Sequence, residues 1–172
     1  VLQIYKQSRF FYERQVNKSW DKHRGLLELH GKTVCVVGCG SVGTECAKRF
    51  SAFGCEVIGV DLYPREADEY SKIYPVSRLN DIVSKADVVV LTLPLTKQTE
   101  KCINSEVLSR LRDGCVLVNI ARGRIIDTQA LIQELSARDI YAVLDVFEDE
   151  TLPPESPLWE MKNVYITPHN SF

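Results

Sequence analysis

The sequence has no uninterrupted apolar run near the roughly 20 residues that a membrane-spanning helix needs, so no such span is expected. The opening residues, Val1 to Phe10, lack the layout of a signal peptide. Neither charge is in excess: 21 Lys and Arg against 23 Asp and Glu leave a net charge of −2 and a pI near 6.0. No global basic field therefore points to nucleic acid or an anionic membrane as a partner. Among the six cysteines no two stand as C-x-x-C, and most lie inside apolar runs. Reduced thiols in a cytoplasmic protein are the reading, rather than a zinc site or a disulfide framework, and no metal is expected. Internal repeats, low-complexity tracts and linkers are also missing. The chain starts without Met and stops just after a strand-like segment, as expected of a piece of a longer protein.

What is present suits one domain of 172 residues, 45% hydrophobic and 26% charged, long enough to bury a real core. The first twenty residues contain no Gly or Pro but carry Tyr5, Phe10, Phe11, Tyr12 and Trp20. They predict a long leading helix, with residues 1–30 packed on the flank of the main domain, 31–172, or at a subunit interface. From Lys32 onward, short β-branched runs alternate with amphipathic segments, the βαβ pattern of a parallel sheet. Strands are expected at Thr33–Val37, Glu56–Val60, Val88–Leu93, Val116–Ile120, Tyr141–Asp145 and Val164–Thr167. Helices are expected near Val42–Phe53, Asn104–Leu111 and Thr128–Ala137, the last two capped by Asn104 and Asp127. Leu131, Ile132 and Leu135 form the inward stripe of the last helix. Between Tyr63 and Asp81 the pattern is weak. The fold class is α/β, a Rossmann-type doubly wound parallel sheet with helices on both faces.

Val34-Cys35-Val36-Val37-Gly38-Cys39-Gly40-Ser41-Val42-Gly43 reads as a strand, a tight turn and a helix start. Gly38 permits the turn, Gly40 lets a diphosphate approach the backbone, and Gly43 lets helix and strand pack closely. The helix tip at Ser41 and Val42 then offers N–H groups and a positive dipole end to phosphate. A second strand ends at Asp61, 18 residues after Gly43, the place of a ribose-binding acid. A carboxylate there accepts from a 2′-hydroxyl and repels a 2′-phosphate, so NAD is favoured over NADP, with Arg65 a small counterweight. S-adenosylmethionine is the competing ligand, since its folds share a glycine loop and an acid. Cys39, inside the loop, is the one thiol with a conceivable redox role.

Three later segments, in order, bear on that choice: Val118-Asn119-Ile120-Ala121-Arg122-Gly123, Leu144-Asp145-Val146-Phe147-Glu148-Asp149-Glu150, and Ile166-Thr167-Pro168-His169. With the glycine loop they make the chain resemble the nucleotide-binding domain of the D-isomer-specific 2-hydroxyacid dehydrogenases, over nearly its whole length. The resemblance implies an inserted domain whose partner, the substrate domain, lies outside this sequence, and a homodimer formed through the nucleotide domain. It implies Arg122, Glu150 and His169 as the catalytic set, Asp145 as the partner of the nicotinamide carboxamide, and Pro94, Thr99, Ile120 and Ala121 around ribose and nicotinamide. Thr151 departs from the Pro usual after the Glu, Glu148 competes with Glu150 for the role, and Asn170-Ser171 departs from a glycine-rich continuation.

The residues themselves support those roles. Arg122, Asp145 and His169 each fall at or just after a predicted strand end, where open parallel sheets bind ligands. A 2-keto acid needs its carboxylate held and its carbonyl polarised, which a planar, permanently charged guanidinium does. The alkoxide left by hydride transfer needs a proton, which His169 supplies, and a neighbouring carboxylate favours the protonated ring. His23 and His30, far from this cluster in sequence, read as structural or exposed. The function expected is NAD-dependent oxidoreduction of a small 2-hydroxy or 2-keto acid, with poor turnover by this piece alone. The alternatives are a dinucleotide-sensing binding protein of the corepressor kind on the same fold, and a methyltransferase.

Overall fold

The apolar runs that show no alternation become strands covered on both sides, as buried parallel strands must be. The computed structural model describes residues 1–23 and 25–171. Its strands are β1 (Thr33–Val37), β2 (Glu56–Asp61), β3 (Lys72–Pro75), β4 (Val88–Leu91), β5 (Val116–Asn119), β6 (Tyr141–Leu144) and β7 (Val164–Ile166). All pair in parallel in one sheet, in the order β3-β2-β1-β4-β5-β6-β7. From β1 the chain proceeds outward to β2 and β3, then returns to place β4 on the other side of β1. That reversal opens a crevice beyond the carboxyl ends of β1 and β4. In register, Val34 lies between Val57 and Val88, and Val37 between Val60 and Leu91.

The helices are α1 (Leu2–Tyr5), α2 (Ser8–Val16), α3 (Ser41–Ala52), α4 (Leu79–Val83), α5 (Ser105–Ser109) and α6 (Thr128–Ala137). Successive strand residues point to opposite faces, so each strand feeds two cores. Cys35, Val37, Val89, Leu91 and Leu117 pack with Ile82 and Val83 of α4, Val107 and Leu108 of α5, and Leu131 and Leu135 of α6. Val34, Val36, Val88, Val90, Val116 and Val118 pack on the other face with Ala47 of α3 and with Ile4, Tyr5 and Leu29. Asn104 and Asp127 cap α5 and α6, their side chains accepting from the N–H groups of Val107 and Ala130 at 3.2 and 3.1 Å. Ile132, expected on the inward stripe of α6, is only partly buried.

The leading segment corrects the sequence reading. A single long helix to Trp20 does not form: α1 ends at Tyr5, Gln7 takes a left-handed φ of 52°, and α2 stops at Val16. Only α1 reaches the core, through Ile4 and Tyr5. α2 buries no residue, and Trp20 is 93% exposed. The expected strand ends also ran long. β4, β5, β6 and β7 stop at Leu91, Asn119, Leu144 and Ile166, and the residues beyond turn into the crevice. β3 and α4 were not anticipated, because Lys72-Ile73-Tyr74-Pro75 is a four-residue edge strand that buries only Ile73.

Candidate functional site

The crevice is built at the carboxyl ends of six of the seven strands, β1, β2 and β4 to β7, by the residues that immediately follow or close each strand. Gly38 leaves β1 with φ 96°, and a Cβ there would sit 2.7 Å from the backbone of Leu93. A Cβ on Gly43 would lie 2.2 Å from the Gly38 carbonyl oxygen, whereas one on Gly40 would meet nothing within 4 Å. The protein itself therefore requires Gly38 and Gly43, while the bareness of Gly40 leaves the approach to the tip of α3 open. Gly40 is the N-cap and brings no side chain to the first-turn N–H groups of that 12-residue helix. Unpaired donors with a dipole end behind them suit a diphosphate. Thr92, just past β4, donates its hydroxyl to the Gly38 carbonyl at 2.6 Å and pins the turn from the side.

Asp61 closes β2 beside the same loop. Its Oδ2 accepts from the Cys39 N–H at 2.7 Å and its Oδ1 from the Tyr63 N–H at 2.9 Å. Arg65 donates to the Cys39 carbonyl, so its charge is turned onto the loop. A carboxylate has about four acceptor positions, which leaves Asp61 free capacity for a sugar hydroxyl. Cys39 is buried, and burial pushes its thiol up to about 11. A protonated, enclosed thiol is a poor redox sensor, and the conceivable redox role gains no support. All six cysteines are unbridged.

On the other side of β1 and β4, Val42, Thr92, Leu93, Pro94, Leu95, Ile120, Ala121 and Arg122 line a groove of about 360 Å³. Thr99 does not join this lining. Its hydroxyl donates to the Pro94 carbonyl at 2.6 Å, so it shapes the loop that carries Pro94. Leu95 and Arg122 also border a larger cavity of about 600 Å³ that holds Asp145, Glu148, Glu150 and His169. The three residues expected to be catalytic thus come together from three separate segments, all exposed to one cavity. Among the described residues no hydrogen bond or ion pair joins Glu150 to His169. Arg122 donates to the carbonyl of its neighbour Ala121 at 2.6 Å.

Several residues that sequence reasoning did not single out hold this cavity in shape. Asn119, 1% exposed, accepts from the Ala121 N–H and donates to the Arg122 carbonyl, both at 3.0 Å, so a buried amide fixes the turn that projects Arg122. A Cβ on Gly123 would stand 1.8 Å from the Phe147 carbonyl, so that glycine lets the Arg122 turn meet the loop leading to Glu150. Glu148 is occupied elsewhere, paired with Lys101 at 3.3 Å and near the Thr128 N–H at the start of α6. Trp159 borders the cavity and donates to the Pro153 carbonyl at 2.9 Å. A polar residue just past an apolar strand was the available signal for Thr92. Asn119 and Gly123 entered the sequence reading only as part of the segment around Arg122, and nothing in the chain order announces the contact of Gly123 with Phe147 or the place of Trp159.

Asp145 is the most enclosed acid of the site, 2% exposed. Burial works against its charge, but hydrogen bonds from Thr167 and from the N–H groups of Asn170 and Ser171 outweigh it and hold the carboxyl below its ordinary range.

With that geometry in view, the comparisons are specific. A family model described as "D-isomer specific 2-hydroxyacid dehydrogenase, NAD binding domain" matches residues 1–171. The chain belongs to that family. A D-3-phosphoglycerate dehydrogenase of Methanocaldococcus jannaschii is 40% identical over 153 residues, covering 87% of this chain and 29% of the relative. The solved structure of a D-isomer specific 2-hydroxyacid dehydrogenase family protein from Aeromonas salmonicida superposes with a TM-score of 0.93 at 35% identity, over 98% of this chain and 55% of that one. An NADPH-dependent glyoxylate/hydroxypyruvate reductase from Sinorhizobium meliloti, solved with NADP and sulfate, gives 0.88 at 30% identity, over 98% of this chain and 54% of that one. The chain thus spans about half or less of these relatives. It matches the nucleotide-binding domain of that family, and the methyltransferase reading falls away. The corepressor alternative draws no support from these likenesses. Among the described residues no helix is long and apolar enough to cross a membrane.

Proposed function

We propose that this domain binds NAD and serves an oxidoreductase that interconverts a small D-2-hydroxy acid and its 2-keto acid. The observation that carries the reading is the convergence of Arg122, Glu150 and His169 on one cavity that adjoins the groove of Val42, Pro94, Ile120 and Ala121. NAD is favoured because Asp61 offers a carboxylate where NADP would bring a second negative charge, and Arg65 is committed to the Cys39 carbonyl rather than free for a 2′-phosphate.

The bound dinucleotide supplies hydride; the protein supplies position, charge and a proton. The N–H groups at the tip of α3 take the diphosphate, and Asp61 takes the adenosine ribose. Pro94, Ile120 and Ala121 wall the nicotinamide end, near Asp145. Arg122 leaves its weak tie to the Ala121 carbonyl to grip the substrate carboxylate and polarise its carbonyl. His169 protonates the oxygen that becomes the hydroxyl, and Glu150, in the same cavity, orients the ring. Glu150 rather than Glu148 has this part, since Lys101 and the start of α6 engage Glu148. A second domain would close the open cavity and exclude water, so this domain by itself binds dinucleotide but turns over poorly. A homodimer formed through this domain, in the cytoplasm, completes the proposal.

The test is turnover of NADH and NADPH by the full-length enzyme with glyoxylate, pyruvate and hydroxypyruvate. NADH is expected to be preferred, and His169→Ala to lower kcat by about 10²–10⁴-fold, the scale of general acid–base catalysis. A rate unchanged by that substitution removes His169 from the chemistry, and a preference for NADPH overturns the role of Asp61.

A further inference from the structure

His169 has a φ of 54°, the left-handed region that a residue with a Cβ avoids. Such a conformation is strained and persists only where its surroundings over-determine it. The surroundings here are one buried side chain and its backbone. The Asp145 carbonyl accepts from the His169 N–H at 2.9 Å. The Asp145 carboxylate accepts from the Asn170 N–H on Oδ1 and the Ser171 N–H on Oδ2, both at 2.9 Å. Thr167, two residues before His169, donates its hydroxyl to the same Oδ1. The turn that carries His169 is thus gripped on both sides by a single aspartate.

We infer that Thr167 is a positioning residue for His169, acting through Asp145: its hydroxyl fixes the carboxylate that clamps the two N–H groups following the histidine. The acceptor count allows this clamp to coexist with a nucleotide. Oδ1 receives the Thr167 hydroxyl and the Asn170 N–H, Oδ2 receives the Ser171 N–H, and the Ser171 side chain is a further partner of the carboxylate, so a carboxamide would take the place of that exchangeable serine hydroxyl among the four or so positions that a carboxylate offers. The same carboxylate thereby connects the nicotinamide end of the groove with the proton donor. Its lowered pKa keeps the clamp charged at neutral pH.

The catalytic half of the inference rests on the reading of His169 as proton donor; the structural half does not, and two measurements separate them. Amide hydrogen exchange on this domain without nucleotide reads the clamp directly. Thr167→Val keeps the side-chain shape and removes the donor, and Thr167→Ser restores it. Exchange at Asn170 and Ser171 is expected to speed up about tenfold in the valine variant and to stay within threefold of the parent in the serine variant. Equal protection in all three overturns the clamp. In the full-length enzyme, Thr167→Val is expected to lower kcat roughly tenfold with the KM for NADH within twofold, and Thr167→Ser to recover most of the loss. Faster exchange with an unchanged kcat overturns the positioning role, while an unaffected His169→Ala variant overturns only the proton-donor reading and leaves the clamp standing.

Discussion

The two ends of the crevice are built by different means. The end proposed to take the diphosphate comes from ten consecutive residues, Val34 to Gly43, with one acid from the next strand and one hydroxyl from Thr92. Its shape follows from strand, turn and helix geometry that short-range sterics already impose. The end proposed to be catalytic is assembled from segments far apart in sequence: 119–124 from the last residue of β5 onward, 145–150 after β6 and 167–171 after β7. What holds those segments is a set of single side chains reaching between loops: Asn119, Asp145 and the bare Cα of Gly123. The first end is a local property of the chain and the second a tertiary one. Substitutions at the two ends should therefore separate binding from turnover.

The largest separation is expected at the two glycines. In Gly43→Ala the new methyl lies 2.2 Å from a backbone oxygen between a buried strand and its helix, neither of which yields easily. Overpacking of this kind costs about 3 kcal/mol. Denaturant unfolding should show that loss, and calorimetric titration should show NADH binding weakened by more than ~100-fold as the tip of α3 moves. Gly123→Ala pushes instead on the Phe147–Glu148 peptide in an irregular loop, which can move and take Glu150 with it. Dinucleotide affinity should stay within twofold while kcat of the full-length enzyme falls roughly 100-fold, the cost of about an ångström of misplacement. If both variants lose binding equally, the two ends are one cooperative unit and the distinction drawn above is wrong.

The same distinction explains what could be read from the chain. The sheet, the glycine loop, Asp61 and the caps at Asn104 and Asp127 follow from patterns within a few residues, and the structure has them where they were expected. The leading helix was misjudged because the absence of Gly and Pro permits a helix without requiring one. Only Ile4 and Tyr5 find a core to bury in, so the rest of the segment has no packing to extend it. β3 was missed because an edge strand with one buried residue carries almost no hydrophobic signal. At the catalytic end the resemblance supplied Arg122, Glu150 and His169, and the cavity brings them together. The residues that hold them apart or in place were invisible, because a contact between Gly123 and Phe147 leaves no trace in the spacing of either.

A smaller effect is expected from acid. The Asp145 carboxyl titrates below its ordinary value in the folded chain, so the native state holds its proton less tightly than the unfolded state. Its contribution to stability is then complete above the ordinary aspartate value, about 3.9, and is lost as pH falls through the lower folded value. The contribution is modest, because burial offsets much of what the hydrogen bonds from Thr167, Asn170 and Ser171 supply. Denaturant unfolding of the parent and Asp145→Asn at pH 5 and pH 2.5 should give a difference that shrinks in acid; a difference that grows would reverse the sign argued here.

The smallest effect distinguishes the two glutamates. Glu148 and Glu150 border the same cavity and are two residues apart, so chain position alone gives either one to His169. Their partners differ: Glu148 is tied to Lys101 in a half-exposed ion pair and approaches the first N–H of α6. An exposed pair of that kind contributes about 0–1 kcal/mol, and a glutamine keeps an oxygen for the Thr128 N–H. Glu148→Gln should therefore cost at most about 0.5 kcal/mol of stability and leave kcat within twofold. Glu150→Gln, which removes charge from the one glutamate of the pair not engaged in the loop's own structure, should lower kcat by at least tenfold at equal stability. The opposite ranking would assign the histidine's partner to Glu148 and require Lys101 to release it during turnover, making the catalytic end still more dependent on tertiary contacts than the comparison of the two ends supposes.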